Sequence, residues 1–160
     1  MNKTPNIHVI IPVFNCEKFV ESAVYSVLSQ PYENIDIIII DDGSTDRSGF
    51  ICDKLEKKEA RVHVIHKENA GVSSARNTGI DYVLNNCDVH NDYIAFCDAD
   101  DLWAKDCISS NFAGLLDKDI ICLKSCFMSE DSTLCSCPPE PQDFGKIVKG
   151  GTANIWRYTY

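Results

Sequence analysis

Strand-like and helix-like segments alternate along the first 126 residues, and this alternation limits the fold more than any other feature of the chain. Short aliphatic, β-branched runs have the length and composition of strands buried on both faces. The runs between them carry apolar residues at helical spacing, as at Val20, Val24 and Val27. The predicted strands are 7–14, 35–40, 62–66, 93–97 and 119–126, and the predicted helices are 17–29, 45–58, 71–85 and 105–116.

This order of elements predicts an α/β fold with a mostly parallel sheet and helices on both faces, because parallel strands need helical crossovers. Right-handed crossovers bring the strand ends to one edge of the sheet, where such folds bind their ligands. The pattern fails after residue 128, and 129–143 contains three prolines and many small polar residues, which predicts a loop. We therefore predict one domain over 1–128 and an irregular extension over 129–160.

Charge and composition exclude several classes of function. The chain has 15 Lys and Arg against 24 Asp and Glu, a formal net charge of −9, which argues against nucleic acid as a partner. Its 44% hydrophobic content is that of a globular protein. The longest aliphatic run, 37–40, is far shorter than the roughly 20 residues of a membrane helix. The start lacks the pattern of a secretory signal, so the expected location is the cytoplasm.

The nine cysteines fall into two groups. Five are scattered through predicted helices and strands like small buried apolar residues: Cys16, Cys52, Cys87, Cys97 and Cys107. The others are closer together: Cys122, Cys126, Cys135 and Cys137. Their C-x3-C and C-x-C spacing is not that of a standard zinc knuckle, and zinc stays an alternative. An odd number of cysteines without a secretory signal favours free thiols in a reducing compartment.

Carboxylates follow two of the predicted strands. Asp41 and Asp42 come after the second strand, and Asp98, Asp100 and Asp101 come after the fourth. Both clusters should reach the same edge of a parallel sheet, where carboxylates repel one another unless a cation or a shared proton intervenes. Oxygen ligands of this kind suit Mg²⁺ or Mn²⁺. The alternative is that these aspartates cap helices and form turns, and the spacing alone favours neither.

Four blocks in this order resemble the family 2 glycosyltransferases, which have the GT-A fold of nucleotide-diphospho-sugar transferases. The blocks are 9–15 (VIIPVFN), 39–46 (IIDDGSTD), 69–79 (NAGVSSARNTG) and 95–103 (AFCDADDLW). The resemblance extends over roughly residues 7 to 125. Because each block occupies the predicted element where this family carries it, we take the four together as the basis for the roles that follow.

The resemblance implies a nucleoside pocket at the ends of the first two strands. Pro12, Phe14 and Asn15 would line this pocket, with the ring of Phe14 against the base. Asp41 would form a hydrogen bond with the base, and Asp42 would lie beside it at the strand end. An aromatic face and a carboxylate that accepts from a base N–H would select a pyrimidine nucleotide, so a UDP-sugar is the expected donor.

The resemblance also implies a diphosphate site. Arg76 would support the nucleotide side of the cleft. Asp98 and Asp100 match the family's aspartate-x-aspartate motif, the first near the ribose and sugar and the second towards a metal ion on the diphosphate. Both belong to the predicted metal site, and the expected cofactor is Mn²⁺ or Mg²⁺.

The activity implied by the resemblance is inverting transfer of a hexose to a glycan or lipid-linked acceptor in bacterial surface polysaccharide synthesis. The implied partners are the nucleotide-sugar donor and the acceptor, and peripheral association with the inner face of the membrane or a homodimer is compatible with this role. Longer family members supply a general base, often in a Glu-Asp pair, and Glu130–Asp131 follows the fifth strand too closely to match it.

We therefore expect a truncated chain that holds the donor half of a transferase without its base. The alternative is a non-catalytic nucleotide-sugar-binding remnant. A receiver-like signalling domain is disfavoured, because it would need an acidic pair where this chain has Phe14–Asn15.

Overall fold

The computed structural model describes residues 4–87, 92–105, 107–108, 127–128 and 134–136. The described residues divide into two compact units, one covering those up to residue 108 and the other those from 127 to 136. The first unit contains four strands and three helices. In chain order they are β1 (Ile7–Val13), α1 (Val20–Leu28), β2 (Ile35–Asp41), α2 (Ser48–Lys58), β3 (Val62–His66), α3 (Val72–Asn86) and β4 (Tyr93–Phe96).

The four strands form one parallel sheet in the order β3-β2-β1-β4. β1 lies at its centre, and all seven of its residues are buried. It pairs with β2 from Ile7–Ile35 to Val13–Asp41, so the ends of the two strands are level. Every isoleucine of β2 is buried as well, and each such side chain contributes about 1.5–3 kcal/mol to folding. These aliphatic strands therefore form the core.

Helices cover both faces of this sheet. α1 and α2 contact each other, and α3 packs on β1 and β2. The chain moves outward from β1 to β3 and then crosses to β4 on the other side of β1. Because parallel crossovers are right-handed, this reversal places α3 on the face opposite α1 and α2. The predicted fold class is confirmed, and the reversal opens a crevice between the carboxyl ends of β1 and β4.

The predicted elements agree with the structure through β4. Helices α1 and α2 begin three residues later than predicted. The residues that precede them instead form hydrogen bonds between the loops that follow β1 and β2. The predicted strand 119–126 and most of the predicted helix 105–116 lie outside the described residues. No helix in the described part of the chain is long and apolar enough to cross a membrane.

The loop prediction for 129–143 is wrong in one place. β6 (Leu134–Ser136) lies inside it and pairs antiparallel with β5 (Phe127–Met128) in the second unit. All three prolines of the segment follow residue 136, so none of them removes a backbone donor from this pair. The predicted domain boundary after residue 128 stays a prediction.

The contact between α3 and β1 is unusually close at Gly79. A Cβ atom built on this glycine would lie 2.5 Å from Cγ2 of Ile10 and 3.1 Å from its Cδ1. Both residues are buried, and Ile10 belongs to the central strand. The missing side chain therefore sets how near the helix lies to the sheet.

We expect Gly79→Ala to lower the free energy of unfolding by about 1–3 kcal/mol, because the added methyl overlaps Ile10. An alanine that had space would instead stabilise a helix by roughly 1 kcal/mol, so the sign of the change tests the contact. Urea denaturation measures it, with the exposed Asn85→Ala on the same helix as control. If Gly79→Ala lowered the free energy of unfolding by the same amount when Ile10 was also replaced by alanine, this explanation would be contradicted.

Candidate functional site

A cavity of about 340 Å³ lies at the carboxyl ends of β1 and β2 and at the start of α3. Parallel α/β sheets bind their ligands at this edge. The lining is mostly apolar with one carboxylate. The lining residues are Pro12, Val13, Phe14, Asp42, Asn69, Gly71, Val72 and Ala75.

Phe14 presents an aromatic surface to this cavity. It is 48% exposed although it directly follows the fully buried strand β1, and Val72, also in the lining, is 50% exposed. Large apolar side chains that are half exposed at a concave site are suited to a planar ligand, which covers them by stacking. The structure therefore places Pro12 and Phe14 where the sequence predicted a nucleoside pocket.

Asp42 is the carboxylate of the cavity, and it is only 3% exposed. It accepts hydrogen bonds from the Lys67 ammonium, from Ala70 N at 3.1 Å and from Gly71 N at 2.8 Å. Burial by itself would raise the pKa of Asp42, but these three donors outweigh burial and hold the pKa below its usual value. Asp42 is therefore an anion that ties the end of β2 to the segment leading into α3.

Asp41 has a different set of partners. Its carboxylate accepts from Ser44 N at 3.1 Å and lies 2.8 Å from Nδ1 of His66. The other ring nitrogen of His66 lies 2.9 Å from Oδ1 of Asp53 on α2. Asp41 is buried and is not part of the cavity lining. Its predicted hydrogen bond to a base stays a prediction, and the carboxylate that lines the cavity is its neighbour Asp42.

Asn15 joins the loop after β1 to the loop after β2. Its side-chain oxygen accepts from Thr45 N at 2.8 Å and from Asp46 N at 3.3 Å, and its own N–H donates to Ser44 Oγ at 3.1 Å. Its backbone is left-handed, with φ = 52°. The predicted contact of Asn15 with a nucleotide stays a prediction, and what the structure records is a bridge between two loops.

Arg76 links the cavity to the end of β4. It follows the cavity-lining Ala75 on α3, and its guanidinium donates to Oδ1 of Asp98. The side chain of Asp98 is 45% exposed, and Asp100 is exposed as well. Burial, together with the negative charges of Asp100 and Asp98, raises the pKa of Asp101. The three carboxylates are therefore close enough to repel one another, as the sequence predicted.

The described residues include no group of three or more His, Cys, Asp or Glu side chains that could hold a metal ion by themselves. Mg²⁺ and Mn²⁺ are usually held by one or two carboxylates together with substrate phosphates. Asp98 and Asp100 are two carboxylates separated by one residue at the end of β4, and they fit such a shared site. They do not fit an ion held by the protein alone.

The five described cysteines of the first unit, Cys16, Cys52, Cys87, Cys97 and Cys107, are free. Burial, with nearby carboxylates, raises the pKa of Cys52 and of Cys97 to about 12, so neither thiol is a nucleophile at neutral pH. The cysteine-rich stretch 122–137 lies outside the described residues except for the backbone of β5 and β6.

Sequence reasoning missed His66 and Lys67, which hold the two aspartates at the end of β2. The sequence alone assigns no functional role to either residue. The available signal was their position directly at the end of β3, because β3 lies beside β2 and its end reaches the same edge. Asp41 and His66 are paired residues of the neighbouring strands β2 and β3, so their side chains lie close together at this edge.

Solved structures are similar to this chain in fold. The structure of residues 1–349 of TarS from Staphylococcus aureus in complex with UDP matches with a TM-score of 0.57 and 23% identity, over 70% of this chain and 32% of that one. The mannosyltransferase PcManGT from Pyrobaculum calidifontis, in complex with GDP-Man and Mn²⁺, matches with a TM-score of 0.56 and 20% identity, over 66% and 30%. The predicted GT-A fold is confirmed.

The sequence model for glycosyl transferase family 2 matches residues 8–132, and the chain belongs to this family. The predicted resemblance is thereby confirmed.

Curated relatives are longer than this chain. Glycosyltransferase GlyA from Streptococcus pneumoniae serotype 4 is 37% identical over 111 residues, which are 69% of this chain and 15% of GlyA. The putative teichuronic acid biosynthesis glycosyltransferase TuaG from Bacillus subtilis is 34% identical over 118 residues, 73% of this chain and 44% of TuaG. The chain thus spans less than half the length of either relative.

We expect a pH-dependent contribution of His66 to stability. The hydrogen bonds with Asp41 and Asp53 raise the pKa of His66, so its stabilising effect is complete below the unfolded pKa of about 6.5 and is lost as the pH rises through the folded pKa. The stability lost in His66→Asn should therefore be larger at pH 6 than at pH 9, and below about 1 kcal/mol because the ring is half exposed. Denaturant unfolding at the two pH values measures it.

The matched control is His63→Asn on the same strand, for which the described part of the chain supplies no carboxylate partner. If the stability lost in His66→Asn were larger at pH 9 than at pH 6, the stabilising role of the protonated His66 ring would be contradicted.

We further expect Lys67→Met to raise the pKa of Asp42. The substitution removes the strongest of the groups that lower this pKa and leaves the burial that raises it. NMR titration of the Asp42 carboxyl carbon measures the change. Lys58→Met is the control, since Lys58 donates to the Tyr25 hydroxyl instead. An unchanged Asp42 titration would show that the two backbone amides suffice.

Proposed function

We propose that the chain is the donor-binding part of an inverting glycosyltransferase that uses a UDP-sugar together with Mn²⁺ or Mg²⁺. The observation that carries this proposal is the cavity lined by Phe14 and Asp42, which Arg76 connects to the carboxylates at the end of β4. The cavity suits a nucleoside and the connected carboxylates suit a metal-bound diphosphate. Together they match the nucleoside and the adjoining diphosphate of one nucleotide-sugar.

Two features support a uracil base. The half-exposed ring of Phe14 offers a stacking surface, and the ionised Asp42 offers acceptor oxygens to a base N–H. A carboxylate has roughly four acceptor positions, and the protein supplies donors from Lys67, Ala70 and Gly71. The N–H of Ala70 is shared between the two oxygens, at 3.1 and 3.2 Å, so a uracil N–H would replace one of these two contacts. The TarS structure contains UDP in the same fold.

The diphosphate has a consistent position next to the nucleoside. Gly71 and Val72, at the amino end of the 15-residue helix α3, line the cavity, and a helix amino end attracts phosphate through its free N–H groups and its dipole. Arg76 lies one turn further along this helix and adds a guanidinium. Asp98 and Asp100 would hold the divalent ion, and a bound ion of this kind stabilises the charge that develops on the departing diphosphate. The PcManGT structure contains Mn²⁺ with GDP-Man.

In the proposed reaction a hydroxyl oxygen of the acceptor attacks the anomeric carbon, and the nucleoside diphosphate leaves from the opposite side, which inverts the configuration. The chain's own residues bind and orient the donor for this attack. The acceptor hydroxyl also needs a general base, and we assign that role to no residue in the described part of the chain. Since TuaG is named for teichuronic acid biosynthesis, we propose a surface polysaccharide as acceptor and the inner face of the membrane as location.

Calorimetric titration with UDP, with and without Mn²⁺, tests the proposal. We expect Mn²⁺ to strengthen UDP binding by roughly tenfold or more, about 1.4 kcal/mol, and GDP to bind more weakly than UDP. Asp100→Asn should abolish the gain from Mn²⁺. The matched control is Glu33→Gln, which removes one exposed carboxylate at the opposite edge of the sheet and should leave the gain intact.

Failure of the wild-type chain to bind UDP under any metal condition would contradict the proposed function. Equal UDP binding with and without Mn²⁺ would contradict its metal requirement alone. Release of UDP from UDP-N-acetylglucosamine or UDP-glucose then separates an enzyme from the non-catalytic remnant: binding without turnover favours the remnant.

A further inference from the structure

We propose that Asn15 is a positioning residue for the nucleoside end of the site. It fixes the wall of the cavity formed by Phe14 against the wall formed by Asp42, and it does so without contacting the ligand. The inference rests on the proposed function of the cavity as a nucleotide site. It differs from the sequence-based expectation, in which Asn15 contacts the nucleotide itself.

The side-chain oxygen of Asn15 is already occupied. It accepts from Thr45 N at 2.8 Å, from Asp46 N at 3.3 Å and from the Thr45 hydroxyl at 3.3 Å. The oxygen has two lone pairs, so these donors exhaust its capacity. A ligand could engage it only by displacing contacts that hold the two loops together.

The backbone of Asn15 serves the same purpose. With φ = 52° it turns the chain immediately after Phe14, and asparagine adopts this left-handed conformation more readily than most residues with a side chain. Its N–H then meets the hydroxyl of Ser44 at 3.1 Å. The turn and the hydrogen bonds therefore depend on the same residue.

Hydrogen bonds from the flanking residues continue this connection. Val13 O accepts from Asp42 N at 2.8 Å, and Cys16 N donates to Oγ of the buried Ser48 at 2.8 Å. Residues on both sides of Phe14 are thus attached to the segment that follows β2. Phe14 lies between these attachments and lines the cavity, so its position relative to Asp42 depends on them.

A stacking ring and a hydrogen-bonding carboxylate hold one base only if the distance between them is fixed. When the connection through Asn15 is lost, the two loops keep more freedom in the free protein, and the ligand has to order them on binding. This ordering cost weakens the binding of the base, because the base contacts both walls. The diphosphate and the metal ion, at the Asp98 end, are affected only through the base.

Two substitutions separate positioning from contact. Asn15→Gly keeps the left-handed backbone and removes the side-chain oxygen, whereas Asn15→Asp keeps an acceptor oxygen. Binding of uridine and of UDP with Mn²⁺ is measured by NMR titration and calorimetry. We expect Asn15→Gly to weaken the binding of uridine and of UDP by the same factor, roughly tenfold, since it removes the side-chain acceptor that joins the two loops. Asn15→Asp, which keeps an acceptor oxygen, should bind uridine with an affinity near that of the wild type.

Asn34→Ala is the matched control, because the Asn34 side chain donates to Thr4 O at 3.3 Å, at the opposite edge of the sheet from the cavity. Its uridine affinity should equal that of the wild type. Thermal unfolding of each variant confirms that it is folded. If Asn15→Gly does not fold, Ser44→Ala replaces it, since it removes only the hydroxyl that accepts from Asn15 N. A loss of uridine affinity in that variant supports the proposal, and an unchanged affinity overturns it.

Other outcomes also decide the matter. Unchanged uridine affinity in a folded Asn15→Gly overturns the proposal. An Asn15→Asp variant that binds uridine as weakly as Asn15→Gly overturns it as well. A loss for UDP without a loss for uridine would show direct contact with the diphosphate or sugar, which also overturns positioning. If the wild-type chain binds neither uridine nor UDP, the proposed function fails first, and this result is distinct from all the others.

Discussion

The pairing of β1 with a strand on each side is the constraint on which the rest of the structure depends. β1 is buried along its whole length and its hydrogen bonds with β2 and β4 are parallel, so the carboxyl ends of all three strands are held at one edge. The first cavity wall continues from β1, the second from β2, and the exposed carboxylates follow β4. A largely aliphatic strand, whose one polar side chain is His8, thus determines where each polar group of the site lies.

The end of β2 shows how one strand serves two purposes. Consecutive residues of an extended chain point to opposite sides, so Asp41 and Asp42 have separate surroundings. Asp41 meets His66 and, through it, helix α2, whereas Asp42 meets Lys67 and the start of α3. One aspartate therefore stabilises the sheet edge and its neighbour lines the cavity. After them the chain turns away from the sheet edge: Gly43 has a left-handed backbone, and Ser44 N donates to the Asp41 carboxylate.

The sequence predicts the core and the edge of the sheet well, because aliphatic runs and strand-end aspartates are local signals. It could not decide between Asp41 and Asp42, because that choice depends on which side of β2 faces α3. The roles of His66 and Lys67 depend on the register between β2 and β3, which no short motif encodes. Asn15 was found by its motif, but its bridge to Thr45 and Asp46 joins residues about 30 positions apart and becomes visible only in three dimensions.

The close approach of α3 to β1 has a consequence for the site itself. Gly79 lies one turn after Arg76 on the same helix, so the spacing that the glycine permits also determines how far the guanidinium stands from Asp98. Because the helix is rigid, its distance from the sheet at the buried Gly79 also affects the position of Arg76, one turn earlier on the same helix. A position without a side chain thereby contributes to the placement of the Arg76–Asp98 ion pair at the edge of the sheet.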